Sequence, residues 1–389
     1  MTSEAKQQAR ATIASAADRL LALSRMIHAN PELGFEEEQA SAWCAEALTD
    51  GGYAVEQGIC ELPTAFAATA GTGPLTVAIC AEYDALPGIG HACGHNVIAS
   101  SAIGAALALA PLADDLGIAV RVLGTPAEEG GGGKILMLQR GGFDGVHAAL
   151  MVHPAPSEHD RMPCLAVDHF DVRYTGKEAH ASAYPDRGIN AADAITVAQV
   201  AIGLLRQHAR PNDQVHGIVT HGGAAPNIVP ALAVAKFYVR AETLEALEVW
   251  RPRVMKCFEA GALATGATLE VVSQGPPYSE FLTDEALAAL YRQNAEAVGR
   301  VFSSGLERTM SGSTDMGNVS LAIPSIHPML GIDSLPAVNH QPEFAAAAAS
   351  PAADRAVLEG ALAMAWTIID LASDVALRER LGARAYCHA

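Results

Sequence analysis

The sequence is short of positive charge, of aromatic rings and of any cysteine framework. Its 25 Lys and Arg face 43 Asp and Glu, a formal charge of −18. A chain that binds polyphosphate needs the opposite balance, so nucleic acid is excluded as a partner. Aromatic residues make up only 5% while Ala and Gly are abundant, which favours close-packed helices and tight turns. Seven cysteines, an odd number without regular spacing, fit a reducing compartment better than a disulfide scaffold; the cytoplasm is the expected address. The first 28 residues carry charges throughout and lack the apolar core and cleavage site of a signal peptide, so they read as an amphipathic helix. The most apolar span, Val97 to Ala113, approaches membrane length but holds two serines and a proline; it is expected to be a buried helix, with no membrane involved. No internal repeat or low-complexity linker is visible.

What is present is ample core material: 389 residues, half of them hydrophobic, enough for two domains. Several segments repeat one order of apolar strand, polar loop and helix. LTVAIC (75–80) leads to AEYDALPGIGHACGHN and a helix over 97–110; IAVRVLG (118–124) leads to TPAEEGGGG and a helix from KILMLQRGG; AALMV (148–152) leads directly to HPAP. Continuous apolar strands separated by helices predict an α/β fold with a mixed, mostly parallel sheet flanked by helices. Ligands in such sheets sit beyond the carboxyl ends of the strands, where Asp84, Cys93, Glu128, Glu129 and His153 fall. From about residue 165 the order becomes strand, helix, strand, strand, helix, strand, a ferredoxin-like α+β unit. The α/β order resumes after 277 with a helix from SEFLTDEALAALYRQNAEAVG, the loop SGSTDMGNVS, a strand around SIHPMLGI and one long helix over about 342–373. The expected division is therefore 1–164 with 277–389 as the larger domain and 165–276 as an insertion.

The chemistry concentrates in a few loops. In HACGHN, Cys93 and His95 are two apart, and on an extended loop their side chains face one way, as shared metal coordination needs. Such a pair alone is more often a small buried cysteine beside an unrelated histidine. Glu128 and Glu129 are adjacent and point different ways, so one can bind metal while the other serves as a general base; a solvated acidic pair before a glycine turn is the simpler account. A phosphate-binding loop is excluded, because Glu128 and Ile135 occupy the places of its first Gly and its Ser or Thr. His153 is expected to end a strand, held out of helix by Pro154, and His340 precedes the terminal helix. Each histidine singly reads as structural. Together Cys93, His95, Glu129, His153 and His340 suit two cations if the Cys93 thiolate bridges them. Asp84 is either a turn residue or the acceptor that fixes a ligand histidine's tautomer. His147, His159 and His169 carry no functional reading, and the tail YCHA is expected to be frayed.

DALPGIGHACGHN, GTPAEEGGGGK, MVHPAP, GKEAHASAYPDRGINAADA, GGAAPNIVP, GSTDMGNVS and VNHQPEFA, in this order across nearly the whole chain, resemble the M20 family of metallopeptidases and amidohydrolases. The branch is similar to p-aminobenzoyl-glutamate hydrolase subunits and M20 domain-containing dipeptidases. The resemblance implies a zinc- or manganese-dependent enzyme with a phosphorylase/hydrolase-like catalytic domain and an inserted lid domain that makes a homodimer. It implies two divalent ions held by Cys93, His95, Glu129, His153 and His340, with Glu128 as general base. It also implies that His180 stabilises the carbonyl oxyanion across the subunit interface and that Asn227 holds a substrate carboxylate; Arg187 and Arg240 are available for the same carboxylate. Two departures from many members, Asn96 in place of Asp and SGSTDMGNVS in place of a Glu-Asp-Phe segment, are shared with this branch and bear on substrate more than on mechanism. Asp315 is expected only to line the cleft.

The expected reaction is hydrolysis of an amide bond in an N-acyl amino acid, aminobenzoyl-glutamate or dipeptide-like substrate. Glu128 takes a proton from the attacking water and returns it to the leaving amine. Two alternatives stand beside it. Cys93 is a nucleophile activated by His91 or His95, or the protein binds an amide ligand without cleaving it.

Overall fold

The structure, a computed structural model, describes residues 2–303 and 312–388; Ser311 of the SGSTDMGNVS loop lies outside them. The chain divides into two compact units, Met1–Pro163 with Phe281–Ala389, and Cys164–Glu280.

The larger unit begins with α1 (Thr2–Ala29) and α2 (Glu38–Asp50). In α1 the buried Ala9, Ile13, Leu20, Leu23 and Ile27 recur at helical spacing, so one stripe faces the core. There follow β1 (Ala54–Gln57), β2 (Phe66–Ala70), β3 (Leu75–Ala81), α3 (His95–Leu109), the single turn α4 (Ala113–Leu116), β4 (Ile118–Gly124), α5 (Gly133–Gln139), β5 (Ala148–Leu150) and β6 (His153–Ala155). Chain order then passes through the smaller unit: β7 (Ala166–Thr175), α6 (Ala191–Leu205), β8 (Gln214–His221), β9 (Leu232–Ala241), α7 (Leu244–Thr265) and β10 (Thr268–Ser273). It returns with α8 (Glu285–Ala297), α9 (Met316–Ala322), β11 (Ser325–Ile326), β12 (Met329–Gly331), α10 (Pro342–Ala347), α11 (Pro351–Ser373) and α12 (Val375–Gly382).

The main sheet has the order β1-β2-β4-β3-β5-β11. Its β4-β3, β3-β5 and β5-β11 pairs are parallel, while β1-β2 and β2-β4 are antiparallel. The fold class is therefore α/β with a mixed, mostly parallel sheet. β3 and β4 are buried along almost their full length because helices cover both faces. The apolar helix α3 is buried on nearly every side. Two spans, His95–Leu116 and Pro351–Ser373, are long and apolar enough to cross a membrane, yet 83% and 78% of their most apolar windows are buried inside the fold. They are core helices.

Four expectations need correction. Residues 148–152 do not form one strand ending at His153. β5 stops at Leu150, and His153 opens β6, paired in parallel with β12 in a separate two-stranded sheet. The neighbouring chain bends with it: Met151 N–H still reaches Ile326 O at 3.3 Å and His153 N–H reaches Pro328 O at 3.0 Å, so two His-Pro corners lie side by side. The single helix over 342–373 is two, because Ser350 caps α11 by accepting from Ala353 N–H and Pro351 starts it. The segment of SGSTDMGNVS from Met316 onward opens a helix, α9, rather than continuing a loop. The tail is docked: Tyr386 exchanges backbone hydrogen bonds with Gly145 and Val146, and His388 pairs with Asp144 at 2.6 Å.

The smaller unit is an antiparallel sheet of order β10-β7-β9-β8 with α6 and α7 packed on it through Phe170, Tyr174, Phe237, Trp250 and Phe258. Its end is fastened by Tyr278, which pairs with Val167, and by Glu280, whose carboxylate accepts from Leu244 N–H at 2.9 Å. Residues 277–280 therefore belong to this unit.

Candidate active site

The site assembles where β3, β4 and the β5–β6 corner end. After β3 the chain runs through Glu82 and Asp84, both buried, and turns into HACGHN. Gly94 has φ +80°, and a Cβ there would lie 2.5 Å from Pro154 Cγ, so only glycine lets this loop press against the His153–Pro154 corner. Cys93 and His95 are thus brought together by a left-handed turn at the start of α3, not by an extended loop. His340 is held in a left-handed conformation, φ 67°, by a 2.9 Å hydrogen bond from its N–H to Ala92 O. Its neighbour Asn339 donates to Pro154 O at 3.1 Å.

The Cys93 sulfur is central. It lies 3.5 Å from His153 Nε2 and 3.5 Å from His340 Nε2. His340 Nε2 is in turn 3.5 Å from Glu129 Oε1. Donor atoms of Cys93, His95 and His153 lie within 4.8 Å of one another, and so do those of Cys93, Glu129 and His340. The five residues form two groups that share one sulfur. Asp84 accepts from His95 Nδ1 at 3.0 Å, which leaves Nε2 to face the cluster. Asp84 also accepts from Glu129 N–H at 2.9 Å.

Three buried charges go unread in the sequence. Glu82, two residues before Asp84 and on the same side of the chain, puts Oε1 3.2 Å from His95 Nε2. Lys134 is fully buried, pairs with Glu82 and holds Asp315 Oδ1 at 2.7 Å; its N–H reaches Asp315 Oδ2 at 2.8 Å. Asp315 is thus an anchor for the start of α5. The available signals are the alternation of Glu82 with Asp84 after an apolar strand and a lysine closing the four-glycine run. Glu37, the third, is buried at the start of α2, in an acidic stretch that reads as solvated surface.

The electrostatics are those of a site with too much negative charge for its own cations. Burial, then the charges of Glu82, Glu129 and Asp315, push the Glu128 carboxyl well above the usual range. Burial, then Glu129, pushes the Cys93 thiol up. Burial opposes a charged His95, yet Glu82 and Asp84 carry its pKa well above the ordinary imidazole value. Burial and the charge of His95 lower His153 to about 4, the neutral form in which imidazole binds metal. Burial opposes ionisation of Glu129 too, but its hydrogen bond to His340 and the charges of His95 and His340 bring it below the usual value. Glu82 Oε1 and His95 Nε2 are buried 3.2 Å apart, yet neither makes a well-aligned hydrogen bond among the described residues. A divalent cation would satisfy such atoms, and the sulfur, imidazole and carboxylate donors fit zinc or manganese chemistry.

Asn96 does not belong to this cluster. Its amide donates to Ser24 Oγ and to Ala348 O, both at 2.9 Å, which an aspartate could not do, so Asn96 ties α3 to α1 and to the end of α10. Among the described residues His91 makes no hydrogen bond to the Cys93 sulfur, and its ring is tilted against that of His28 with centroids 6.1 Å apart; burial, then the charges of His95 and His28, lower it to about 3, too weak a base to activate a thiol.

His180, Asn227 and Arg240 lie in the smaller unit. His180 Nδ1 accepts from Ser182 N–H at 3.3 Å and Ala183 N–H at 3.2 Å, which assigns the ring proton to Nε2. Asn227 O accepts from Ala181 N–H at 3.0 Å, joining the two loops. Arg240, on β9, donates through Nε to His216 at 3.1 Å.

Fold and site together define a hydrolase of the metallopeptidase and amidohydrolase class. Residues 78–360 match the profile of peptidase family M20/M25/M40, and the chain belongs to that family. It is 39% identical to the Xaa-Arg dipeptidase of Mus musculus over 96% of this chain and 90% of that protein. It is 35% identical to one of the subunits of the p-aminobenzoyl-glutamate hydrolase of Escherichia coli (strain K12), over 62% of this chain and 54% of that protein. The Bacillus subtilis YXEP protein, described as a dinuclear metal binding peptidase of the M20 family, shares the fold with a TM-score of 0.66 at 22% identity, covering 92% of this chain and 99% of its own.

Proposed function

We propose that this enzyme cleaves the amide bond of a dipeptide-like substrate, with N-acyl amino acids and p-aminobenzoyl-glutamate as the competing substrate classes. The observation that carries the reading is the pair of donor groups sharing the Cys93 sulfur, with the buried carboxyl of Glu128 between Ala127 and the ligand Glu129. Similarity to the Xaa-Arg dipeptidase along almost the whole chain favours dipeptides.

Cys93, His95, Glu129, His153 and His340 would hold two divalent cations, zinc or manganese, which supply Lewis-acid polarisation of the carbonyl and acidify water. Glu128 takes the proton of the attacking water and carries it to the leaving amine. His180 donates from Nε2 to the developing oxyanion, a role supported by the two N–H groups on its Nδ1. Asn227 and Arg240 bind the substrate carboxylate. Exposed Val200, Leu204, Ile218 and Val219 on the smaller unit support a homodimer, and seven unpaired cysteines support the cytoplasm.

A thiol nucleophile has less support: burial and Glu129 both oppose the Cys93 thiolate, whereas a nucleophilic cysteine needs its pKa lowered. The test is a turnover screen of zinc- and manganese-loaded protein against dipeptides with basic and neutral C-terminal residues, N-acetyl amino acids and p-aminobenzoyl-glutamate. Dipeptides are expected to give the highest kcat/KM, and a chelator should abolish activity that added metal restores. Chelator-resistant turnover would favour the Cys93 nucleophile instead.

A further inference from the structure

Glu128 sits between two residues whose backbone N–H groups are each gripped by a buried carboxylate. On one side Asp84 Oδ2 accepts from Glu129 N–H at 2.9 Å. On the other, Glu37 Oε1 accepts from Ala127 N–H at 2.8 Å. Ala127 is a buried, non-glycine residue at φ 55°, a left-handed conformation that crowds its Cβ against the following carbonyl. Such strain persists only where the surroundings over-determine it. Here they do. A Cβ on Gly34 would stand 2.9 Å from the Ala127 methyl, and one on Gly131 2.6 Å from it, so the methyl is enclosed by two glycine backbones. Glu37 is itself fixed, because Oε2 accepts from Thr64 Oγ1 at 2.8 Å and the Thr64 carbonyl accepts from Tyr83 Oη at 2.5 Å. Glu37 arrives from the connection between α1 and α2, remote in sequence from the loop it holds.

From this geometry we infer that Glu37 is a positioning residue for the proton-transferring Glu128, acting as the acceptor that keeps Ala127 in its left-handed conformation. The inference rests on the reading of Glu128 as general base. Without the acceptor, Ala127 N–H is buried and unpaired, and the peptide relaxes toward negative φ. That rotation re-aims Glu128, while Glu129 stays clamped by Asp84. The consequence falls on the chemical step more than on binding, since displacement of a reacting group by about 1 Å can cost on the order of a hundredfold.

The test compares metal-loaded Glu37→Met, Glu37→Gln and Thr64→Val with the parent enzyme and with Glu128→Gln, on the best substrate of the screen. Glu37→Met, which fills the space without an acceptor, is expected to lower kcat by roughly 10²-fold with KM within threefold. Its bound metal, and the absorption spectrum of the cobalt-substituted protein, should not change. Glu37→Gln keeps an acceptor and should hold kcat within threefold; Thr64→Val, which loosens Glu37, should show the same split at smaller amplitude. Equal losses in Glu37→Gln and Glu37→Met would overturn the acceptor role, as would a normal kcat in Glu37→Met. If Glu37→Met does not fold, an unaltered kcat in Thr64→Val overturns it. Full activity in Glu128→Gln instead removes the general-base reading and leaves the Ala127 geometry standing, so the two failures are distinct.

Discussion

Glu128→Gln is expected to lower kcat by about 10²–10⁴-fold, the usual contribution of a positioned general base, while the protein keeps its metals. The side chains are nearly isosteric, and an amide cannot take a proton from water. Metal content should hold because the five proposed ligands do not include Glu128. Stability should not fall either. Burial and the neighbouring Glu82, Glu129 and Asp315 raise the folded-state pKa of this carboxyl above its unfolded value. A group shifted upward favours the folded state fully below its unfolded pKa, and that contribution is lost as pH rises through the folded value. Glutamine removes the penalty, so at pH 8 metal-free Glu128→Gln should melt no lower than the metal-free parent. Steady-state kinetics with metal analysis decides the first point and thermal melts the second. A kcat within tenfold of the parent would remove Glu128 from the mechanism.

Lys134→Met is expected to destabilise the larger unit by about 3–5 kcal/mol, the cost of removing one partner from a buried ion pair, or a fall in Tm of roughly 10 °C. Lys134, Glu82 and Asp315 are all wholly buried. Burial works against a charged Lys134, yet Asp315 and Glu82 hold its pKa well above the ordinary lysine value. Methionine fills the volume but leaves two interior carboxylates without their cation. Because Glu82 also faces His95 Nε2 at 3.2 Å, its release should weaken metal binding as well. Changing Asp315 to Leu in the Lys134→Met background removes one stranded charge and should restore part of the loss, less the hydrogen bond that Lys134 N–H donates to Asp315. Urea midpoints with and without metal separate the two effects. A Lys134→Met protein as stable as the parent would mean that these carboxylates are neutral or solvated.

Much of the larger architecture is legible in advance because buried parallel strands are continuous apolar runs. IAVRVLG is β4 residue for residue, and the loops after β3 and β4 carry the polar groups that the structure gathers. Expectation and structure part where the local pattern is silent. VHP and IHP each combine an apolar residue with a proline, and nothing in either segment tells that the two corners bend together into a second sheet. The break before α11 is written as Ser350-Pro351, a cap and a first-turn proline, inside an alanine run that looks continuous.

The site divides along the same line. Side-chain types suited to metal and proton transfer, placed at strand ends, are evident in HACGHN, AEEGGGG, VHPAP and NHQPEF, because such groups are costly to place there without a use. Glu37, Glu82 and Lys134 are not, since a charge on paper is the same whether water or protein surrounds it. What sequence alone determined was the alternation of buried strand, polar loop and helix around β3 and β4, the excess of acid over base and the chemical kinds available. What tertiary structure alone decided was which charges leave water, which sulfur stands between two donor groups, and which carboxylate holds the backbone beside Glu128. The reason is physical: burial and pairing arise from contacts between segments far apart in the chain, and these set the energy of every charged group in the site.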